Sequence, residues 1–353
     1  MKVGIAIKFQ TSPTAPGDFR QVYEDCLAYA RAADSLGFDY VVLPEHHSVH
    51  IGYDPTPFLA LTAIARETKR IGLSTQPLLL PLYHPVHVAE QLAVLDVLSD
   101  GRAMLGVGVG YRDGDFEAFG VSPRQRGART EEALAMLLGA LREPEFNYEG
   151  RFYSAKNVSI TPRPVQRPHP KVYVTARSSR AVERAVRYRL PVNTLHWEAK
   201  ASVYAHYCQK LDEANVDPAS VDFTIARNGY IARDMETALR IGGEHYTSRN
   251  ENMDSGEFKG GEAAIPRPRA EIAGPGGRKY LLEGDLIGTP EIWLEALKAD
   301  IEALRGPVPF TAWTLGFYPG GMPVKDALAA LDLFAETVLP WAQSAMPETA
   351  VTR

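Results

Sequence analysis

Eight short apolar runs, each followed by a stretch with helical spacing, most tightly limit what this 353-residue chain can fold into. The runs are residues 3–9, 40–43, 71–75, 103–107, 171–174, 191–194, 223–231 and 309–315. Helical patterns fall near 19–36, 57–67, 85–98, 127–141, 178–189, 198–214, 233–242, 289–304 and 323–342. The runs are continuously apolar, as expected of strands buried on both faces. Repeated strand–helix alternation calls for a parallel sheet. Eight such units call for an α/β fold closed as a (β/α)8 TIM barrel, not an open sheet. Barrels of this kind exceed the usual length of one domain, so a single domain over 1–353 is expected.

Two segments interrupt the alternation. Residues 146–153 read as a hairpin, followed by the proline-rich 162–168. Residues 245–285 are rich in Gly, Pro and charge. A long patternless stretch in a compact domain is usually functional or disordered. A lid loop over an active site is the expectation, with a disordered surface insertion as the alternative.

Bulk chemistry narrows the class. The formal net charge of −5 is too mild for a dedicated nucleic-acid or membrane-surface protein. Cys26 and Cys208 are isolated, giving neither a disulfide framework nor a paired zinc motif. No apolar run nears the ~20 residues that span a bilayer, and the start has no signal-peptide pattern. A soluble, cytoplasmic protein is expected.

Four places carry chemistry. Pro44-Glu45-His46-His47 ends the second apolar run, where a barrel puts its reactive groups. Strand alternation sends Glu45 and His47 to one side and His46 to the other. Three successive residues then make a poor metal trio, and no metal is expected. A histidine at a barrel mouth can instead move a proton or donate to a bound ring. Gly106-Val107-Gly108-Val109-Gly110-Tyr111 would let a flat ring or phosphate approach the backbone, but it lacks the dinucleotide-binding spacing. Arg177-Ser178-Ser179 opens a helix, whose free N–H groups favour an anion, although a bare serine cap would read the same. Gln76-Pro77 follows the third run and could make a sharp turn under a ligand. Tyr53, Phe58, Tyr83, Tyr111, His196 and Trp197 could line an apolar pocket or simply pack.

Taken together, these residues resemble the bacterial-luciferase-like flavin monooxygenases. The likeness lies in 37–47 with its Glu-His-His end, in 80–91 continuing into 95–102, and in 288–291 and 331–340. It implies a barrel with reduced FMN at the C-terminal mouth, supplied by a separate NAD(P)H:flavin reductase. It also implies dioxygen chemistry through a peroxyflavin that oxygenates a small organic substrate. His46 matches the catalytic histidine. Gln76 and Pro77 match a cis-linked pair under the flavin ring. Gly108 and Val109 match residues reaching the ring and phosphate, and Ser178 a phosphate-binding serine; Arg177 and Ser179 complete that end. His47, Tyr83 and Tyr111 are candidate substrate contacts. Homodimerisation through the helices near 57–67 and 85–98 is implied too.

Val109 stands where some members place a phosphate-binding arginine, Arg177 where the luciferases have an acid, and Ala181 where a hydroxyl is usual. These departures keep open a deazaflavin-dependent hydride transferase on the same fold. A non-catalytic flavin-binding subunit and a metal-dependent sugar isomerase are further alternatives.

Overall fold

The computed structural model describes residues 1–12, 17–194, 200–253, 270–273, 279–282 and 284–345. Its centre is a closed barrel of eight parallel strands. These are β1 (Lys2–Ala6), β2 (Tyr40–Leu43), β3 (Gly72–Leu79), β4 (Ala103–Gly108), β5 (Lys171–Thr175), β6 (Val192–Thr194), β7 (Phe223–Ile231) and β8 (Phe310–Gly316). Each pairs with its neighbour in chain order, and β8 returns to β1 through Lys2↔Ala312 to Ile5↔Leu315. All eight expected strands are present, with ends shifted by a few residues.

Alternation along the strands sorts the side chains. Val3, Ile5 and Ile7 of the β1 region are fully buried in the main core, whereas Ala6 and Lys8 line the barrel mouth. Successive Cβ atoms on extended backbone point to opposite faces, which produces this division. The outward face meets the helices α1 (Phe19–Leu36), α2 (Pro57–Glu67), α3 (Pro85–Leu98), α4 (Asp113–Glu117), α5 (Arg126–Arg142), α6 (Ser179–Tyr188) and α7 (Lys200–Glu213). Later come α8 (Met235–Ala238), α9 (Glu244–Met253), α10 (Pro290–Ala303), α11 (Val324–Thr337) and α12 (Leu339–Ser344). Trp293, Phe317 and Phe334 form a fully buried aromatic cluster between β8, α10 and α11, with centroids 5.1–5.7 Å apart. Truncating Trp293 to Ala would cost about 3–5 kcal/mol.

Local signals start and stop these elements. Asp18 caps α1 by accepting the Arg20 N–H at 2.9 Å, and Gly37 ends it in the left-handed region at φ 90°. Proline opens α2, α3 and α10, where its missing N–H costs nothing.

The hairpin is present as Phe146–Glu149 paired antiparallel with Ser154–Val158. The 245–285 stretch differs from the expectation of a structureless loop. The helix begun at α8 runs through a single π turn, Leu239–Gly243, into α9, which ends at Met253. A Cβ on Gly242 would come within 2.2 Å of Tyr230. Glycine there lets the helix lie close on β7. Ala270–Ala273 and Lys279–Leu282 pair antiparallel. Residues 254–269, 274–278 and 283 of the expected lid lie outside the described residues. No helix among the described residues is long and apolar enough to cross a membrane.

Candidate active site

The C-terminal ends of the strands surround a cavity of about 250 Å³. One side is built by β2–β5 and the segments that follow them: Glu45 and His46, Gln76 and Pro77, Gly108 to Tyr111, then Thr175, Arg177 and Ser178. The other side comes from Lys8 after β1, Ala226 and Asn228 on β7, and Thr314 on β8. Arg249, Gly284 and Asp285 complete the rim.

His46 sits at this mouth between two tyrosines. Its ring meets Tyr53 edge-on at 4.7 Å and Tyr111 at 5.6 Å, centroid to centroid. Behind it, Nδ1 lies 3.4 Å from Oδ2 of the buried Asp115. Asp115 also accepts the His47 backbone N–H at 3.0 Å and Arg112 Nη1 at 2.5 Å. Burial works to raise the Asp115 carboxyl, but the bond to His46 and the charge of Arg112 hold it below the ordinary carboxylate value. An ionised carboxylate only accepts, so the facing Nδ1 carries the proton.

Glu45 and His47 meet each other, as strand alternation expects, although Glu45 shares the cavity lining with His46. Buried Glu45 accepts His47 Nε2 at 2.7 Å, the Leu79 N–H at 2.6 Å and the Tyr83 hydroxyl. His47 is 7% exposed and packs its ring on Phe119 at 4.5 Å, so it supports the strand end instead of lining the cavity. Tyr83 likewise points to Glu45 and is not among the cavity-lining residues. Of the three substrate candidates only Tyr111 reaches the cavity. Asp54, bridged to Glu45 through the backbone, has one oxygen bonded to the Thr56 N–H at 3.1 Å and the other buried with no partner. Burial pushes its carboxyl up to about 7, and Glu45 adds to the rise.

The β3–β5 surface carries unspent hydrogen-bonding groups. The Gln76–Pro77 peptide is cis. A Cβ on Gly108 would stand 2.8 Å from the Pro77 ring, so only glycine lets β4 approach that turn. Gln76 Nε2 and Thr175 Oγ1 are both buried without a partner, and both residues line the cavity. Buried polar groups nearly always have partners, so such orphans mark a place for a polar ligand. Ser178 is the N-cap of α6, yet its side chain makes no capping bond. Arg177 lies over the Tyr111 ring, 5.7 Å from its centroid. Val109 joins this surface, whereas Ser179, the first residue of α6, is exposed and outside the lining.

Sequence reasoning missed several residues here. Asp115 and Arg112 meet the Glu-His-His end only through the fold. Arg249 bonds both oxygens of Asp285, at 2.8 and 2.9 Å, and Asn250 Nδ2 bonds Asp285 at 2.9 Å. Lys8 was visible in principle: it continues the inward register of Gly4 and Ala6 on β1. Phe58 is a core residue, and His196 and Trp197 lie outside the described residues. Among the described residues no group of three or more His, Cys, Asp or Glu could hold a metal ion.

The sequence pattern of one family, described as luciferase-like monooxygenase, matches residues 1–305. The alignments cover between 44% and 62% of the length of the first three curated relatives. One of these is the oxygenase component of a flavin-dependent trigonelline monooxygenase from Acinetobacter baylyi, 26% identical over 228 residues and 62% of each chain. An alkanal monooxygenase alpha chain from Photorhabdus laumondii is 25% identical over 349 residues, 92% of this chain and 94% of that one. Among solved structures, monooxygenase RslO1 from Streptomyces bottropensis superposes with TM-score 0.82 at 29% identity, over 97% of this chain and 99% of that chain. The oxygenating constituent of 3,6-diketocamphane monooxygenase from Pseudomonas putida, in complex with FMN, gives 0.76 at 21%, over 96% and 98%. An F420-dependent secondary alcohol dehydrogenase gives 0.72 at 16%, over 96% and 98%. The last two share the fold.

Proposed function

The chain belongs to the luciferase-like monooxygenase family, and from that premise we propose that it is the oxygenating component of a two-component, FMNH2-dependent monooxygenase. It inserts one atom of O2 into a small organic substrate and releases the other as water. The observation that carries this reading is the pair of orphaned polar atoms on the β3–β5 surface, Gln76 Nε2 and Thr175 Oγ1, in the same cavity as His46. Those residues fit a planar, polar-edged ring. Reduced FMN, when bound, supplies the electrons that activate dioxygen.

This chain's residues do the rest. Gln76, Pro77 and Gly108 form the platform for the ring. Arg177, Val109 and Ser178 hold the phosphate end at the α6 N-terminus, where free N–H groups favour an anion. His46 holds and moves a proton at Nε2, and Asp115 keeps the ring turned. Positioned acid–base groups of this kind contribute roughly 10²–10⁴-fold. Tyr53 and Tyr111 shield His46 from water, which limits wasteful release of peroxide.

A separate NAD(P)H:flavin reductase provides the FMNH2, as the name of the trigonelline relative supports for that protein. Assembly as a cytoplasmic homodimer completes the reading: α2 exposes Leu59, and α3 exposes Val94, Val97 and Leu98. The test is oxygen incorporation. The purified chain, supplied with enzymatically generated FMNH2 and ¹⁸O2, is screened against aldehydes, ketones and heteroaromatics. A product carrying one ¹⁸O atom supports the reading; label found only in peroxide across the panel speaks against it.

A further inference from the structure

At the other end of the barrel, the N-terminal ends of the strands surround a second cavity, of about 640 Å³ against about 250 Å³ at the mouth. Barrel interiors of this fold are ordinarily filled by layers of bulky side chains. Here Gly72 on β3, Gly106 on β4 and Ala312 on β8 line the space, and their small size leaves it open. Among the described residues only Val42 and Gln76 line both cavities, so the lower space is separate from the active site.

The wall of this cavity holds two acceptors with nothing to accept. Asn193 on β6 is 2% exposed. Its Nδ2 donates to Thr224 Oγ1 at 2.8 Å, while its Oδ1 is buried with no hydrogen-bond partner among the described residues. Asp222, just before β7, accepts the Lys171 ammonium at Oδ2, while its Oδ1 is buried and equally unmatched. Both residues line the cavity. Buried polar atoms nearly always have partners, and a lone acceptor calls for an N–H or O–H donor. Lys171 already balances the Asp222 charge, so a neutral donor completes the site and a second cation is not needed.

Tyr173 stands on the same wall, with Lys171 Nζ 5.0 Å from its ring centroid. Burial, and then the Asp222 charge, push its phenol well up, so it stays protonated and able to donate. Tyr40, Tyr173 and Met104 add apolar surface to the lining. Water would match the two acceptors but would leave that apolar surface wet. Two acceptors, one donor and two aromatic rings complement a planar primary carboxamide. Its N–H groups answer the acceptors and its carbonyl answers the phenol.

We propose that this cavity is a second binding site, for a small planar molecule carrying a primary carboxamide. It lies at the end of the barrel away from the proposed oxygen chemistry and stands whichever flavin the mouth takes.

The Met104 methyl group reports on this space alone. Purified chain carrying ¹³C-methyl methionine is titrated with benzamide and, separately, with N,N-dimethylbenzamide, which has the same shape but no N–H. Met104→Leu assigns the resonance. Benzamide should shift the Met104 signal saturably, with a Kd of about 1 mM, and the dimethyl compound should bind at least about tenfold more weakly. Asn193→Leu removes one acceptor. Asp222→Asn turns its oxygen to Lys171 and its NH2 into the cavity, replacing the other acceptor by a donor. Each should weaken benzamide about tenfold or more. Melting temperatures near that of the natural chain show that the variants fold, and the comparison of the two amides in the natural chain needs no variant. No saturable shift of the Met104 signal up to about 50 mM benzamide overturns the proposal and leaves the cavity to water. Equal affinity for the two amides, or benzamide binding that survives both substitutions, overturns it as well.

Discussion

The two sides of the barrel mouth hold their polar groups in different ways. On the β2–β5 side each key group is fixed from several directions: buried Asp115 accepts three donors and buried Glu45 three more. On the β1–β7–β8 side the described polar contacts are sparser, among them Lys8 Nζ to the Asn228 amide oxygen at 3.5 Å. A site that receives the same rigid cofactor at each turnover gains from a supported, pre-set shell. A site that selects among substrates needs a few polar groups able to reorganise around a guest. The contrast fits the proposal that cofactor and proton handling belong to the first side.

Variants on the first side test that division most severely. His46→Ala should lower kcat by roughly 10²–10⁴-fold, while FMN affinity, read by fluorescence titration, changes less than about threefold. Unchanged turnover would break the division, because the proton-handling group would then lie elsewhere. Asp115→Asn keeps the shape but removes the charge facing His46 Nδ1. A fall in kcat of about 10–100-fold with little change in KM is expected, with partial rescue by Asp115→Glu. If KM rose and kcat held, Asp115 would serve binding instead.

Gly108→Ala sharpens the comparison from the platform side. Its methyl would press on the Pro77 ring at 2.8 Å, so FMN should bind about tenfold more weakly, or about 1.4 kcal/mol.

The smallest effect concerns stability. Asp54 has a folded-state carboxyl raised to about 7, above its unfolded value, so the protonated form favours the fold. That contribution is complete below pH ~4 and is lost as pH rises through about 7. Asp54→Asn should therefore melt higher than the natural chain at pH 8, by several degrees, and converge with it near pH 4. A constant difference across that range would show that Asp54 stays ionised in the folded state.

Most of the barrel was legible in the sequence, because eight apolar runs and the helices between them obey local periodicities. Alternation alone also paired Glu45 with His47 on one side, and in the structure the two bond each other. What alternation could not supply was the partner of each group. Asp115 reaches His46 from 69 residues away, on a five-residue helix with no strong pattern. His47 and Tyr83 looked like pocket residues because aromatic groups cluster at strand ends, but buried Glu45 draws both inward. The helical continuation to Met253 was hidden because Gly-Gly is a local breaker. Here contact with Tyr230 outweighs that propensity.

The claim that matters most is that the β3–β5 surface receives reduced FMN. Anaerobic titration of the purified chain with FMNH2 and, separately, with reduced deazaflavin tests it directly. Saturable FMNH2 binding at micromolar or tighter affinity, weakened by Gly108→Ala and by Ser178→Ala, is the expected result. Saturable binding of the deazaflavin alone would contradict it and return the site to hydride transfer without oxygen.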